Sequence, residues 1–341
     1  MSITLKQIAA LAGVHKSTVD KVIHNRPGVS EAKRQQIRRL LDEYGYESNP
    51  LAKALNYQKK KMKVAVVLPT VDAQPILKQG MELVRQDFNS FNVEVEYYEM
   101  PFSDAEGQAR CLRKLSTTDV SGIVLLPIEA PVVIEAMKAL QEAKIPVVVV
   151  NSDLEDAPHL CFVGQDMEQA GRIAARMFDL CMPQGGTLGI ISSQNMRAVK
   201  QRECAFKAYL GENFSRISIA EAVDIKESSE DAYLQTIGLL ERHPELDALF
   251  ITCGRVPDIC RAIRDKGMQG KLTVMCYEKY PEIATLVRDG EIACTISGDL
   301  AEQGRLAMRL LFQNLIYEHE PKRKIFYTKN EILLKENIIN K

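Results

Sequence analysis

At 341 residues the chain is longer than one ordinary domain, and its 44 Lys and Arg against 45 Asp and Glu leave a net charge of −1. No apolar run is long enough to span a membrane, Met1-Ser2-Ile3 leads straight into a helical pattern with no secretory leader, and the eight Cys form no C-x-x-C pair. The expectation is a cytoplasmic protein with reduced cysteines, no membrane partner, no metal site and no disulfide framework.

In chain order, Thr4 followed three residues later by Gln7 is a capping box, so the first helix is expected to begin at Leu5. Leu5, Ile8, Ala9 and Ala12 then share one face. Gly13 suits a turn, because it tolerates positive φ without a steric penalty. The second helix would bury Val19, Val22 and Ile23 with Val14, and present Lys16, Ser17, Asp20 and Lys21 on its other side. Ser30 can cap a third helix whose apolar stripe is Ile37, Leu40, Leu41 and Tyr44. Three small amphipathic helices with one polar face match helix-turn-helix geometry.

Charge agrees with this reading. Residues 1–63 hold 13 Lys and Arg against 5 Asp and Glu, and the remainder holds 31 against 40, so a head of +8 precedes a body of −9. A basic head is attracted to phosphates and an acidic body is not; a merely solvated surface is the alternative. Behind the head, Asn49 is a good N-cap and Pro50 suits a first helical position. The helix they would start, Leu51 to about Asn56, is too short to be stable alone. It should form only against a support, such as DNA or a twin chain; with Lys59-Lys60-Lys61 behind it, a plain tether is the other reading.

Residues 4–69 resemble the lactose-repressor (LacI/GalR) family. The likeness rests on the head, on Asn49-Pro50-Leu51-Ala52-Lys53-Ala54-Leu55 as an Asn-Pro-x-Ala-x-x-Leu hinge, and on the strand Lys63-Val64-Ala65-Val66-Val67-Leu68-Pro69. The resemblance implies a homodimer on a near-palindromic operator in double-stranded DNA. It implies that Lys16, Ser17 and Lys21 read base edges, that Thr4 and Thr18 hold phosphates, and that Leu55 wedges into a central minor-groove step. His15 and Asp20 depart from the family's usual Ser. Asp20 beside a phosphate would repel it, so that contact is lost or moved to a base donor such as cytosine N4.

Behind the hinge, short apolar runs alternate with helical patterns. Strands are expected at Val64–Leu68, Val93–Tyr97, Gly122–Leu126, Pro146–Val150, Thr187–Ile191, Ala248–Ile251 and Thr273–Cys276. Helices are expected over 75–90, 104–116, 131–143, 167–182, 197–211, 230–242 and 257–267. This alternation means right-handed βαβ units, hence an α/β body of doubly wound parallel sheets behind an all-α head. Ligands in such sheets bind at the carboxyl ends of the strands. The loops there are polar: Thr70-Val71-Asp72-Ala73, Ile128-Glu129, Asn151-Ser152-Asp153, Ser192-Ser193-Gln194-Asn195, Thr252-Cys253-Gly254-Arg255 and Tyr277-Glu278-Lys279.

The body resembles the two-lobed type I periplasmic sugar-binding fold that this family carries behind its head. The resemblance implies a small effector, a sugar, held between the lobes by Asp72, Asn151, Arg202, Cys253 and Glu278. Arg202 matches the family's clamping Arg in Arg-x-x-Gly-Phe, with Ala205 in place of Gly. Pairing of Arg202 with Glu203 is the alternative. Glu278 stands where Asp is usual, Cys253-Gly254 replace an Asn-Asp pair, and Gly298 replaces a polar contact, which is expected to enlarge the pocket. The implied division is a head at 1–48, a hinge at 49–62 and a body at 63–341. Its first lobe would be about 63–159 and 293–320, and its second about 160–292 and 321–341. Helices 75–90 and 104–116 are the candidates for the dimer surface.

The expected function is a DNA-binding transcription regulator, a repressor of carbohydrate-related genes under allosteric control, without a cofactor. The alternative is an enzyme with a DNA-binding head acting on a small sugar or nucleotide. Against it, the chain has no G-x-G-x-x-G after the first strand, no phosphate-binding G-x-x-x-x-G-K-[ST] and no G-x-S-x-G. A transport or chemotaxis binding protein is a third class, against which the head and the missing leader both speak.

Overall fold

The structure, a computed structural model, describes residues 5–23, 27–44, 61–88, 91–154, 156–193, 197–226 and 228–338. The chain divides into two units, Met1–Lys59 and Lys60–Lys341.

In the first unit, α1 (Leu5–Ala12), α2 (Lys16–Ile23) and α3 (Glu31–Glu43) follow one another. α1 begins at Leu5 as expected, and Gly13 takes a φ of +64° in the turn. The helices close on Ile8, Ala9, Ala12, Val19, Val22 and Ile37, with Leu5, Val14, Ile23, Leu40 and Leu41 packed around them. These are the apolar positions at helical spacing, so one small core orders all three helices. Tyr44 does not join it: it lies one residue past α3 and is largely exposed. Thr4, Asn49, Pro50 and Leu55 lie outside the described residues.

The second unit alternates strand and helix. Its elements are β1 (Met62–Thr70), α4 (Gln74–Asp87), β2 (Val93–Pro101), α5 (Ala105–Leu115), β3 (Gly122–Leu125), α6 (Pro131–Glu142), β4 (Val147–Asn151) and β5 (Cys161–Gln165). They continue as α7 (Met167–Cys181), β6 (Gly186–Ser192), α8 (Arg197–Asn213), β7 (Ile217–Asp224), α9 (Ser229–Arg242), β8 (Ala248–Ile251) and α10 (Val256–Asp265). The last are β9 (Thr273–Tyr277), α11 (Pro281–Arg288), β10 (Cys294–Ser297), α12 (Leu300–Tyr317), β11 (Ile325–Thr328) and β12 (Glu331–Leu333). One sheet has the order β11-β5-β4-β3-β1-β2 and is parallel throughout; the other, β12-β10-β9-β8-β6-β7, is parallel except for β12. Apart from Gly122 at the start of β3 and Asn151 at the end of β4, the central strands β3, β4 and β8 are continuous Val, Ile, Leu, Ala and Phe, the composition of strands covered on both faces.

All the strands read from the sequence, the three helices of the head and the seven helices of the body are present, while the hinge helix read at Leu51 to about Asn56 lies outside the described residues. β5, β7, β10, β11, β12, α11 and α12 were not read from the sequence. β10, β11 and β12 hold only three or four residues, too few for a period to show, and β7 is an edge strand in which Glu and Asp interrupt the apolar positions. These strands also correct the lobe boundaries. β5 pairs with β4 and β11 in the first sheet, and β10 stays in the second, so the chain crosses after Gln165, after Ser297 and after Thr328. The boundaries expected near 159, 292 and 320 each fall one strand early, because each strand completes its ladder before the chain leaves its sheet.

α4 packs on α12 through two glycines. A Cβ on Gly80 would stand 1.8 Å from the Ala301 carbonyl oxygen, and one on Gly304 would stand 2.1 Å from that of Leu77. That face of α4, with Leu77, Met81 and Val84, is therefore core, while Leu83 is exposed.

Candidate ligand cleft and nucleic-acid interface

Arg202 projects from α8 and is 7% exposed. Its Nη2 donates to the Thr252 carbonyl at 3.1 Å, its Nη1 reaches Glu278 Oε1 at 3.5 Å, and its guanidinium lies 4.1 Å from the centre of the Tyr277 ring. Tyr277 ends a ladder of rings in the lobe-two core, Phe178, Phe206 and Phe250, and its hydroxyl donates to the Ala170 carbonyl. The cation is thus seated on a rigid aromatic floor. Glu203, the alternative partner, accepts from Ser192 Oγ and from Lys207 at 2.5 Å.

Glu278 follows β9 with a φ of +74°, held by its N–H to the Ile296 carbonyl and by Thr295 Oγ1 donating to its own carbonyl. Burial pushes its carboxyl above the usual range, and the charge of Arg202 opposes that shift. The same left-handed conformation recurs at Asn151, the last residue of β4, φ +69°, and after β10 at Asp299, φ +52°. Arg255, in the loop after β8, has φ +61°. Outside glycine this conformation costs about 1–3 kcal/mol each and collects at functional sites. Among the described residues, four of the seven such positions lie at or just past strand carboxyl ends, while Asn92, Lys144 and Glu318 lie elsewhere.

Among the described residues, five buried polar atoms in this region have no hydrogen-bond partner: Gln165 Oε1, Ser193 Oγ and Glu278 Oε2 at strand ends, Gln74 Nε2 at the start of α4 and Arg202 Nε on α8. A buried polar group left alone costs about 1–3 kcal/mol, so such a set marks a place where polar partners would be stabilising. Asn151 belongs to the arrangement through Gln303, which accepts from its Nδ2 at 3.2 Å. Asp72 stands exposed just before the buried Gln74. Cys253 does not join the polar set: it lies in the apolar core of lobe two, with its thiol 3.5 Å from the Ile191 carbonyl. Gln108, buried on α5, shapes one loop by donating to the Leu126 carbonyl at 3.0 Å and accepting from the Ile128 N–H at 2.7 Å.

On the head, α2 exposes Lys16, Ser17 and Lys21, with Thr18 half-buried beside them. His15 precedes the helix and does the work of the usual Ser cap. Its Nδ1 accepts from the Ser17 N–H at 3.4 Å and lies 2.9 Å from Ser17 Oγ.

Residues 4–49 match the model of the bacterial regulatory proteins of the lacI family, and residues 64–318 match that of the periplasmic binding protein domain. The chain belongs to the lacI family, with a periplasmic binding protein domain as its body. It is 32% identical over 127 residues to the NTD biosynthesis operon regulator NtdR of Bacillus subtilis, a match covering 37% of each chain. It is 37% identical over 91 residues to the sucrose operon repressor of Vibrio alginolyticus, covering 25% of this chain and 97% of that one. The alignment thus spans little more than a third of NtdR. Among solved structures, a transporter solute-binding protein of Burkholderia graminis in complex with D-arabinose superposes with a TM-score of 0.76 at 21% identity, covering 82% of this chain and 97% of that one.

Within this lacI-family body, sequence reasoning missed Gln74, Gln165 and Gln303, while Ser193 and Thr252 stand in carboxyl-end loops that it had marked. The available signal was a lone polar residue closing an apolar run, as Gln165 closes Cys161-Phe162-Val163-Gly164. The expectation that Gly298 enlarges the pocket is corrected. The side chain of Gln165 occupies that space, since a Cβ on Gly298 would meet it at 2.8 Å.

Proposed function

We propose that this protein is a cytoplasmic, homodimeric transcription regulator, a repressor whose head binds operator DNA and whose body binds a sugar. The observation that carries the sugar reading is the set of buried, unpartnered donors and acceptors on Gln74, Gln165, Ser193, Arg202 and Glu278, drawn from both lobes. Such a site rewards a guest rich in hydroxyls and discriminates against one that lacks them. Arg202 and Glu278 stand 3.5 Å apart as a paired donor and acceptor, so the site carries little net charge for a neutral sugar to neutralise. The D-arabinose in the solute-binding protein and the sucrose operon of the repressor support the same class.

In the head, Lys16, Ser17 and Lys21 supply the major-groove contacts and Thr18 a phosphate contact, with Thr4 and Leu55 assigned phosphate and minor-groove roles by family resemblance. The regulatory family of the head speaks for a switch rather than a catalyst. Sugar binding shifts one lobe against the other and changes operator affinity, a coupling of about 1–3 kcal/mol. The test is a thermal-shift screen of pentoses, hexoses and disaccharides, followed by operator titration with and without any sugar that binds. A sugar at about 100 times its Kd stabilises the body by about 2.7 kcal/mol. A sugar that stabilises the body yet leaves operator affinity unchanged would refute the switch.

A further inference from the structure

The segments that cross between the sheets carry Gln165 at the end of β5, Gly298 after β10, Thr328 at the end of β11 and Asn330 between β11 and β12. A Cβ on Gly298 would lie 2.8 Å from Gln165 Cδ and 3.0 Å from both its Cβ and its Cγ. The Cδ would have to move, and Cγ and Cβ sit at the tight edge of ordinary contact, so most of the conflict lies with the part of Gln165 beyond its Cβ. Gln165 and a side chain at 298 therefore compete for one space.

Gln165 is 2% exposed and tied from several sides. Its Nε2 donates to Asn330 Oδ1 at 2.6 Å, and Asn330 Nδ2 donates in turn to Gln169 Oε1 at 2.9 Å and to the Asp166 carbonyl at 3.3 Å. Thr328 Oγ1 donates to the carbonyls of Gly164 and Gly298. Gln303 Nε2 donates to the Gly298 carbonyl at 2.9 Å, and Asn151 reaches the same Gln303. In the β4–β5 ladder Asn151 stands opposite Gly164, so Gln165 follows directly beside it. Against this tight fixation of the amide nitrogen, Gln165 Oε1 is buried without a donor. An acceptor in that position is costly unless a guest satisfies it.

We propose that Gln165 contacts the bound sugar, its Oε1 accepting from a sugar hydroxyl, and that Gly298 is kept bare to admit it. The amide reaches the site from the first crossing segment in place of a side chain on the second. Its nitrogen is anchored to the third, so one residue joins sugar occupancy to the segments on which the lobes turn. With its NH2 committed to Asn330, the amide selects a hydroxyl donor and discriminates against the deoxy analogue at that position. The inference rests on the sugar reading above.

The test compares the full-length wild type with Gln165→Leu, Gln165→Ala, Gly298→Gln and the double variant Gln165→Ala/Gly298→Gln, which moves the amide to the second segment. D-arabinose, D-ribose, D-glucose, sucrose and trehalose are the probes, read by thermal shift and titration calorimetry. A sugar that binds the wild type is expected to bind Gln165→Leu about tenfold more weakly, as for one lost buried hydrogen bond. The double variant should recover most of that loss, and Gly298→Gln alone should melt lowest. Wild-type affinity in Gln165→Leu overturns the contact. Melting without sugar is an independent arm: Gln165→Ala should relieve the loss caused by Gly298→Gln, whereas additive losses overturn the shared space. If none of the five sugars shifts the wild type, it is the sugar reading that fails, and the sugar-free cycle still upholds or overturns the competition between the two positions.

Discussion

On α2 of the head, the residues assigned to DNA stand in solvent, and the side chains that hold them in place, Val19 and Val22, are the buried ones. In the body the two roles fall on the same residues. Arg202, Gln165 and Gln74 are candidates for contact with a guest and are also buried among protein atoms. An exposed polar residue can change with little effect on folding, whereas a buried one is part of the structure that presents it. The head should therefore separate function from stability, and the body should not.

Arg202→Ala gives the largest expected effect. It strands the Glu278 carboxylate in a buried site, and loss of one partner of a buried pair costs about 3–5 kcal/mol. Denaturant unfolding should show that loss together with an absent sugar response, while operator binding survives in the fraction that folds. An unfolding free energy equal to the wild type would break the comparison. Leu55→Ala is expected to cost about 2 kcal/mol of operator affinity, as for a lost apolar wedge, with dimerisation unchanged. Anisotropy titration reads it, and unaltered affinity removes the wedge. Lys21→Ala should lose about 1–2 kcal/mol of preference for one base position with no change in melting temperature. Uniform weakening over all sequences would mark a phosphate contact instead.

Two carboxylates sharpen the contrast through pH. Burial raises the carboxyl of Glu278, so the folded state holds that proton more tightly than the unfolded chain does. Its stabilising contribution is complete below 4.5, the ordinary value, and is lost as the pH rises through the raised value. Glu278→Gln should flatten this fall in a series of melts at increasing pH. Glu221, near the surface, is held below 4.5 by hydrogen bonds from Arg242 and His243. Its contribution is present above 4.5 and is lost as the pH falls through the lowered value. Glu221→Gln should cost about 0.5 kcal/mol at neutral pH and nothing in strong acid, the smallest effect in the set.

The three head helices, the alternation of strand and helix, and the candidacy of Arg202 and Asn151 were all legible in the chain. Cys253 and Gly298 were misread because a residue type in a loop does not say which way the side chain turns. Cys253 sits in a core, and Gly298 yields its space to Gln165. The lobe boundaries were misread for a related reason, since nothing local in Cys161–Gln165 or Ile325–Thr328 names the sheet each strand joins.

By itself, then, the sequence determined what depends on neighbours three or four residues apart: the helix faces of the head, the turn at Gly13, the strand runs and the opposed charges of head and body. The tertiary structure alone decided the site. Asn151 meets Gln303 across 152 positions, Gln165 meets Asn330 across 165, and Arg202 meets Glu278 across 76. Those meetings follow from strand order and crossing points, which arise from long-range pairing and burial and leave no periodic trace in the chain.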